Sequence, residues 1–246
     1  MDSLPIELQI CPTLDGSPTI LFSQGETKEK MHSSKGALSE SLYIYGQAAT
    51  QVLEWGWPLR VLSVGLGLGY NEMIALHLAY KCQLNPQNVS IASFEAHPFL
   101  RESFIRWLEG QKTPLASTYE EILSLICKGD SVEASVFKAY LAEAFDKGQL
   151  KLWGAFPLPN HQEFFGTGFK GFNCVFYDAY CAKTSPELWE ERALVAALKP
   201  ILSEQCLLTT YAAKGSLNRA LKELNFSISN REGFSGKRES TWAFRK

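Results

Sequence analysis

A parallel α/β fold is what this sequence predicts, and three observations predict it. From Arg60 onward, short apolar runs of strand type alternate with longer stretches of helical period. Three glycines, Gly65, Gly67 and Gly69, end the first of those runs and lead into the first of those helices. One large domain fits the 246 residues, of which 46% are hydrophobic and 20% charged, near the averages of globular proteins.

Each element follows from the chain in order. "IELQICP" and "TILFS" are β-prone runs on either side of "TLDGSP", whose Asp-Gly pair is a turn signal, so a β-hairpin opens the chain. The polar "QGETKEKMHSSKGALSE" reads as a loop until "LSESLYIYGQAATQVLEWG" takes up a helical pattern, and residues 1–58 form an N-terminal extension. "RVLSVG" is then a buried strand, "YNEMIALHLAYK" a helix, "VSIASFE" a second strand and "HPFLRESFIRWLEG" a second helix. Residues 113–148 hold two more helices, "STYEEILSLICK" and "SVEASVFKAYLAEAFDKG", more than one crossover needs, and are expected to be an insertion or a lid. "QLKLWGAF", "FNCVFYDAY" and "CLLTTYA" are the next strands, with helices over "SPELWEERALVAALKPIL" and "KGSLNRALKELN". "FSISNRE" and "STWAFRK", joined by "GFSGKR", close the domain, so that 1–246 reads as a single unit.

Composition narrows the function classes. The longest apolar runs fall short of the roughly 18–20 residues that cross a bilayer, and the first residues carry Asp2 and Glu7 with no secretory pattern, so the expected address is cytoplasmic, away from membranes. Six cysteines lack a CxxC and four histidines lack an HExxH, and no metal is expected. A net charge of −2 does not describe a protein that coats nucleic acid, yet Ala212 to Lys246 carries eight basic residues against three acidic ones. That segment is either a solvated surface or a binding face.

The glycine turn poses the choice of cofactor. Glycine lets the backbone turn tightly and approach a ligand, and the amides at a helix start suit anionic or polar groups. Glu95, at the end of the second strand, is placed to accept hydrogen bonds from both hydroxyls of a ribose, which serves NAD and S-adenosylmethionine equally. A dehydrogenase needs a further substrate region, whereas here the nucleotide fold uses the whole chain, and the closing antiparallel pair fits the methyltransferase version of the sheet. S-adenosylmethionine is therefore the expected cofactor. Asp178 ends an apolar strand at the edge where ligands bind in open α/β sheets; it is either an active-site group or a turn residue.

The segment "FNCVFYDAYCAKTSPELW" resembles the "DxFLDGFxPxxNPxMW" stretch of the methyltransferase domain in the bifunctional tRNA 5-methylaminomethyl-2-thiouridine biosynthesis family and its single-domain relatives. "LDGSPTILFS", "HSSKGALSESLYIY", "SVGLGLGYNEM", "SFEAHP" and "GFSGKRE" resemble further motifs of that family, in order and spacing, over almost the whole chain. The resemblance implies a Rossmann-like class I S-adenosylmethionine-dependent methyltransferase fold: a mostly parallel seven-stranded sheet with helices on both faces, an N-terminal β-hairpin extension and a helical insertion. It implies N-methylation of the aminomethyl group on a modified wobble uridine of tRNA. It assigns the cofactor to Gly65, Gly67, Gly69, Asn71 and Glu95, with Glu40 and Tyr43 lining the same cleft, and the active-site role to Asp178. Tyr180 and Trp189 offer stacking surfaces for a splayed base, and Lys237 and Arg238 match the family's closing basic pair.

The chain departs from the family at several positions. Gly154 and Ala155 stand where the family often has Gly-Asp facing adenine; Ala179, Tyr180, Ala182 and Ser185 replace family residues around the methyl acceptor. The family's bifunctional members add an FAD oxidase domain, so a separate FAD oxidase acting upstream is the implied partner. A methyltransferase for a small amine and a catalytically inactive binding module are the alternatives.

Overall fold

The computed structural model describes residues 3–24, 27–157, 171–180, 185–236 and 239–246. Near the N-terminus, β1 (Leu8–Pro12), β2 (Pro18–Gln24) and β3 (Thr27–Lys30) form an antiparallel three-stranded sheet. The expected hairpin is thus extended by one strand cut from the expected loop. "TKEK" has no apolar alternation to announce it, because β3 is an edge strand, where charged side chains are the usual occupants.

Asp15 and Ser17, in the tight turn between β1 and β2, tie this sheet to the helix that follows. Asp15 Oδ2 accepts from Ser39 N–H at 3.0 Å, and Ser17 Oγ accepts from the N–H groups of Ala37 and Leu38, each at 3.0 Å. Burial opposes the Asp15 charge, but the hydrogen bonds from Ser17, Ser39 and Thr13 prevail and hold its carboxyl below the usual range. The helix itself runs through α1 (Ala37–Ser41), a π-helical turn over Leu42–Gly46, and α2 (Gln47–Glu54).

The central sheet has β4 (Leu59–Val64), β5 (Val89–Phe94), β6 (Leu150–Trp153), β7 (Phe172–Tyr177), β8 (Leu202–Thr210), β9 (Ser227–Arg231) and β10 (Ser240–Arg245), in the order β6-β5-β4-β7-β8-β10-β9. The pairs from β6 through to β8 are parallel, and β10 is antiparallel to both β8 and β9. Every residue of β7 is buried, the continuous apolar run of a strand covered on both faces. Asn173, the polar residue in it, fixes its register: its Oδ1 accepts from Arg60 N–H at 3.0 Å and its Nδ2 donates to Pro58 O at 2.6 Å.

Alternation sorts the strand side chains onto two cores. Leu59, Val61 and Phe176 join the core under α2, α3 (Tyr70–Lys81), α4 (Pro98–Leu108), α5 (Ala116–Cys127) and α6 (Ala134–Asp146). Leu62, Val64 and Val175 join the core under α7 (Glu191–Leu198) and α8 (Gly215–Glu223). The long helix expected over 185–202 is shortened to α7, because Pro186–Trp189 winds as a separate 3₁₀ turn. Helices α5 and α6 cover α3, with Tyr119 and Phe137 fully buried, which is why α3 is buried nearly all round. Both helices of this pair pack against α3 and α4 as an outer layer.

Candidate active site

Strand order reverses between β4 and β7, the place where open α/β sheets bind ligands. A cleft of about 690 Å³ lies there, at the carboxyl ends of β4, β5 and β7, with Met31 to Ser34 from the N-terminal extension on its rim. Its first wall is the glycine turn. Gly65 has φ 103°, and a Cβ there would lie 2.4 Å from Asp178 O, so only glycine lets the ends of β4 and β7 come together. Gly67 has φ 54° and faces the cleft, the nearest atom to an added Cβ being Met31 Sδ at 3.6 Å.

Gly69 serves a different purpose from the one the motif implied. A Cβ there would sit 2.5 Å from the Phe104 ring, so this glycine packs α3 against α4 and does not line the cleft. Four of the turn's amides are engaged within the protein. Gly65 and Leu66 N–H both donate to Phe94 O at 3.0 Å, Gly67 N–H donates to Glu95 Oε2 at 2.9 Å, and Gly69 N–H donates to Leu66 O at 2.7 Å. Glu95 is buried on the cleft wall, its other oxygen accepting from His97 N–H at 2.8 Å. Desolvation raises its carboxyl above the ordinary range despite these hydrogen bonds. Each carboxylate oxygen retains capacity for a further hydrogen bond.

The facing wall is built around Asp178. Its N–H donates to Val64 O at 2.9 Å and its Oδ2 accepts from Asn71 Nδ2 at 3.0 Å. Asn71 is buried behind it and does not line the cleft, so its place is to hold Asp178, not to meet the cofactor directly. Glu40 does line the cleft, with Oε2 accepting from Ser33 N–H at 2.6 Å. Tyr43 does not: its hydroxyl donates to Glu232 O at 2.9 Å and the Arg231 guanidinium lies over its ring. The π turn explains this. Its i→i+5 winding carries Tyr43 off the face of Glu40 and brings Tyr45 to the cleft, beside Ser41 at the end of α1.

Tyr180 lines the cleft, 6.5 Å between ring centroids from Phe22, and burial raises its phenol pKa. Trp189 is no stacking surface. It is buried, donating from Nε1 to Tyr180 O at 2.6 Å and meeting Tyr177 edge-on. Ala155, Phe156 and Pro157 form a third, apolar side. Lys237 and Arg238 lie outside the described residues.

Charge gives the cleft its chemical character. Glu29, Glu40, Glu95, Asp178 and Glu187 line it, against Lys30 as the facing ammonium. Such a lining attracts cations and repels a pyrophosphate. Among the described residues there is no group of three metal-ligating side chains, and no helix is long and apolar enough to cross a membrane. Tyr45 escaped the sequence reading because a regular helix turns it away from Glu40; the crowded aromatic string "LYIYG" was the only signal for the irregular turn.

Residues 161–246 match the family described as S-adenosyl-L-methionine-dependent methyltransferase. The tRNA 5-methylaminomethyl-2-thiouridine biosynthesis bifunctional protein MnmC of Cupriavidus necator is 26% identical over 86% of this chain, and the chain spans 31% of that protein's length. An uncharacterized protein of Methanocaldococcus jannaschii is 24% identical over 95% of this chain and 58% of its own. The crystal structure of MnmC2 from Aquifex aeolicus superposes with a TM-score of 0.61 at 21% identity, over 96% of this chain and 69% of its own, which shows the fold. The sheet order and the superposition show a Rossmann-like α/β fold, and the match over residues 161–246 supports an S-adenosylmethionine-dependent methyltransferase. The MnmC relatives resemble this chain over most of its length.

Proposed function

We propose that this chain binds S-adenosylmethionine in the cleft and N-methylates the aminomethyl group of a modified wobble uridine in tRNA, converting 5-aminomethyl-2-thiouridine to its 5-methylaminomethyl form. The observation that carries the reading is the cleft's charge: carboxylates line it, and the N–H groups of Gly65, Leu66, Gly67 and Gly69 are engaged within the protein. The carboxylates disfavour a dinucleotide pyrophosphate, whereas a sulfonium and an alkylamine are both cations in water. The name of the MnmC relatives supplies the tRNA substrate class.

The residues fit the cofactor. Gly65 and Gly67 leave room for it against the turn, Glu95 is set to receive the two ribose hydroxyls, and Phe156 and Pro157 offer an apolar slot for adenine where Ala155 supplies no carboxylate. When bound, S-adenosylmethionine supplies an electrophilic methyl group. Asp178, fixed by Asn71, orients the amine and accepts the proton the amine must shed. Tyr180 stands at the mouth as a surface for the splayed base, and Lys237 and Arg238 are assigned to tRNA phosphates on charge alone. A separate FAD oxidase upstream and a cytoplasmic location belong to the same proposal.

The test is to incubate the purified protein with S-adenosylmethionine and tRNA carrying the aminomethyl group, and to digest to nucleosides for mass analysis. The reading expects a gain of one methylene on the wobble nucleoside. Methylation of a free small amine with none on the tRNA would replace it by the small-molecule reading.

A further inference from the structure

Two buried hydroxyls on the Asp178 side of the cleft accept no hydrogen bond from the protein. Ser41 Oγ and Tyr45 Oη belong to residues that are 1% and 2% exposed, line the cleft, and sit four residues apart across the π turn. Buried hydroxyl oxygens that accept nothing are a standing cost, and a protein that retains them at a ligand site leaves them for the ligand. Tyr45 is held by its ring, 5.5 Å from that of Phe176. Burial first, and then the charge of Asp178 and a hydrogen bond to it, disfavour its ionisation, so the group at the cleft is a neutral phenol that turns its hydrogen toward Asp178 and leaves its oxygen as an acceptor.

Resting on the amine acceptor proposed above, we propose that Tyr45 Oη accepts one N–H of the substrate amine while Asp178 accepts the other, and that this pair limits the enzyme to a single methyl transfer. The substrate ammonium leaves one proton to water on entering, and the neutral primary amine that remains has two N–H bonds and one lone pair. With both N–H bonds engaged, the lone pair has one remaining direction, toward the methyl group. As the N–C bond forms the C–S bond breaks, its electron pair stays on sulfur to give a neutral thioether, and the resulting ammonium passes one proton to Asp178. The product is a secondary amine with a single N–H. It cannot satisfy both oxygens and still present its lone pair, so a second transfer is disfavoured.

Tyr45→Phe keeps the ring and removes only the oxygen. In the full-length protein, with tRNA bearing the aminomethyl group as the probe, turnover should fall about ten- to a hundredfold through lost orientation. S-adenosylhomocysteine affinity by calorimetry should be unchanged, and a dimethylated nucleoside absent from the parent's products should appear in the mass analysis. A merely structural role would not change the ratio of one to two methyl groups. Parental turnover with monomethyl product alone overturns the inference, and so does a loss of S-adenosylhomocysteine affinity as large as the loss of turnover, which would give Tyr45 to the cofactor. A parent protein that binds S-adenosylhomocysteine yet leaves this tRNA unmethylated overturns the acceptor reading, and this inference with it; an active parent with an unaltered variant overturns the inference alone.

Discussion

On the glycine-turn side of the cleft, Glu95 takes a backbone N–H on each carboxylate oxygen and the amides of Gly65, Leu66, Gly67 and Gly69 are all engaged, whereas across the cleft Ser41 Oγ and Tyr45 Oη are buried and accept no hydrogen bond from the protein. The first wall is a mould that the protein completes by itself. The second is completed only by something that enters. A cofactor that recurs in every turnover is suited to the preformed wall, and the variable acceptor to the wall whose polar groups are held in reserve.

The largest effect that should separate the walls is that of Asp178→Asn. The change keeps the volume and an oxygen for Asn71, but removes the proton acceptor, so turnover should fall about a hundredfold or more. S-adenosylhomocysteine affinity should survive; if it fell in parallel, Asp178 would belong to the cofactor wall and the comparison would break.

Two glycines of the same motif should then part company. In Gly67→Ala the new methyl group projects into the cleft, so cofactor affinity should fall about tenfold or more, with a folding cost of about 1–2 kcal/mol from the left-handed backbone. Gly69→Ala drives a methyl group into the Phe104 ring instead, and should cost about 1–3 kcal/mol of stability with little change in affinity among molecules that remain folded. Calorimetry and denaturant melts on both variants check this. The same response from both would mean that the motif acts as one unit.

The smallest effect belongs to Glu72, buried behind both walls, with Oε1 accepting from Ser93 Oγ at 2.6 Å. Burial pushes its carboxyl from 4.5 up to about 7, against the hydrogen bond from Ser93. A carboxyl with a raised folded-state value favours folding while protonated, so its contribution is complete below pH 4.5 and is lost as pH rises through about 7. Glu72→Gln stays neutral throughout. Its melting temperature should match the parent's at low pH and exceed it by a few degrees above pH 7; parallel profiles would show that Glu72 is ionised in the folded protein.

Sequence alone reached the elements with strong periods. The helix read over Tyr70–Lys81 and the strands ending at Phe94 and Tyr177 are found where the pattern put them, because burial on both faces leaves long apolar runs. Edge strand β3 was invisible for the opposite reason. At the site, Glu95, Asp178 and Gly67 were legible, since strand ends at a switch point have few other uses for such residues. Gly69, Asn71 and Trp189 share the motifs but face inward, and spacing does not say whether a residue touches ligand or neighbour. Tyr43 was displaced by Tyr45 because one wide turn resets a helix face, a tertiary event with no local code.

The most direct test of the central claim, that this cleft is built for S-adenosylmethionine and not for a dinucleotide, is calorimetric titration of the parent protein and of Glu95→Ala with S-adenosylhomocysteine and with NAD. The parent should bind S-adenosylhomocysteine and take up NAD far more weakly. Glu95→Ala should lose at least about tenfold in S-adenosylhomocysteine affinity, since a hydrogen bond to a charged group contributes about 1.5–3 kcal/mol. NAD binding as tight as or tighter than that of S-adenosylhomocysteine would contradict the account.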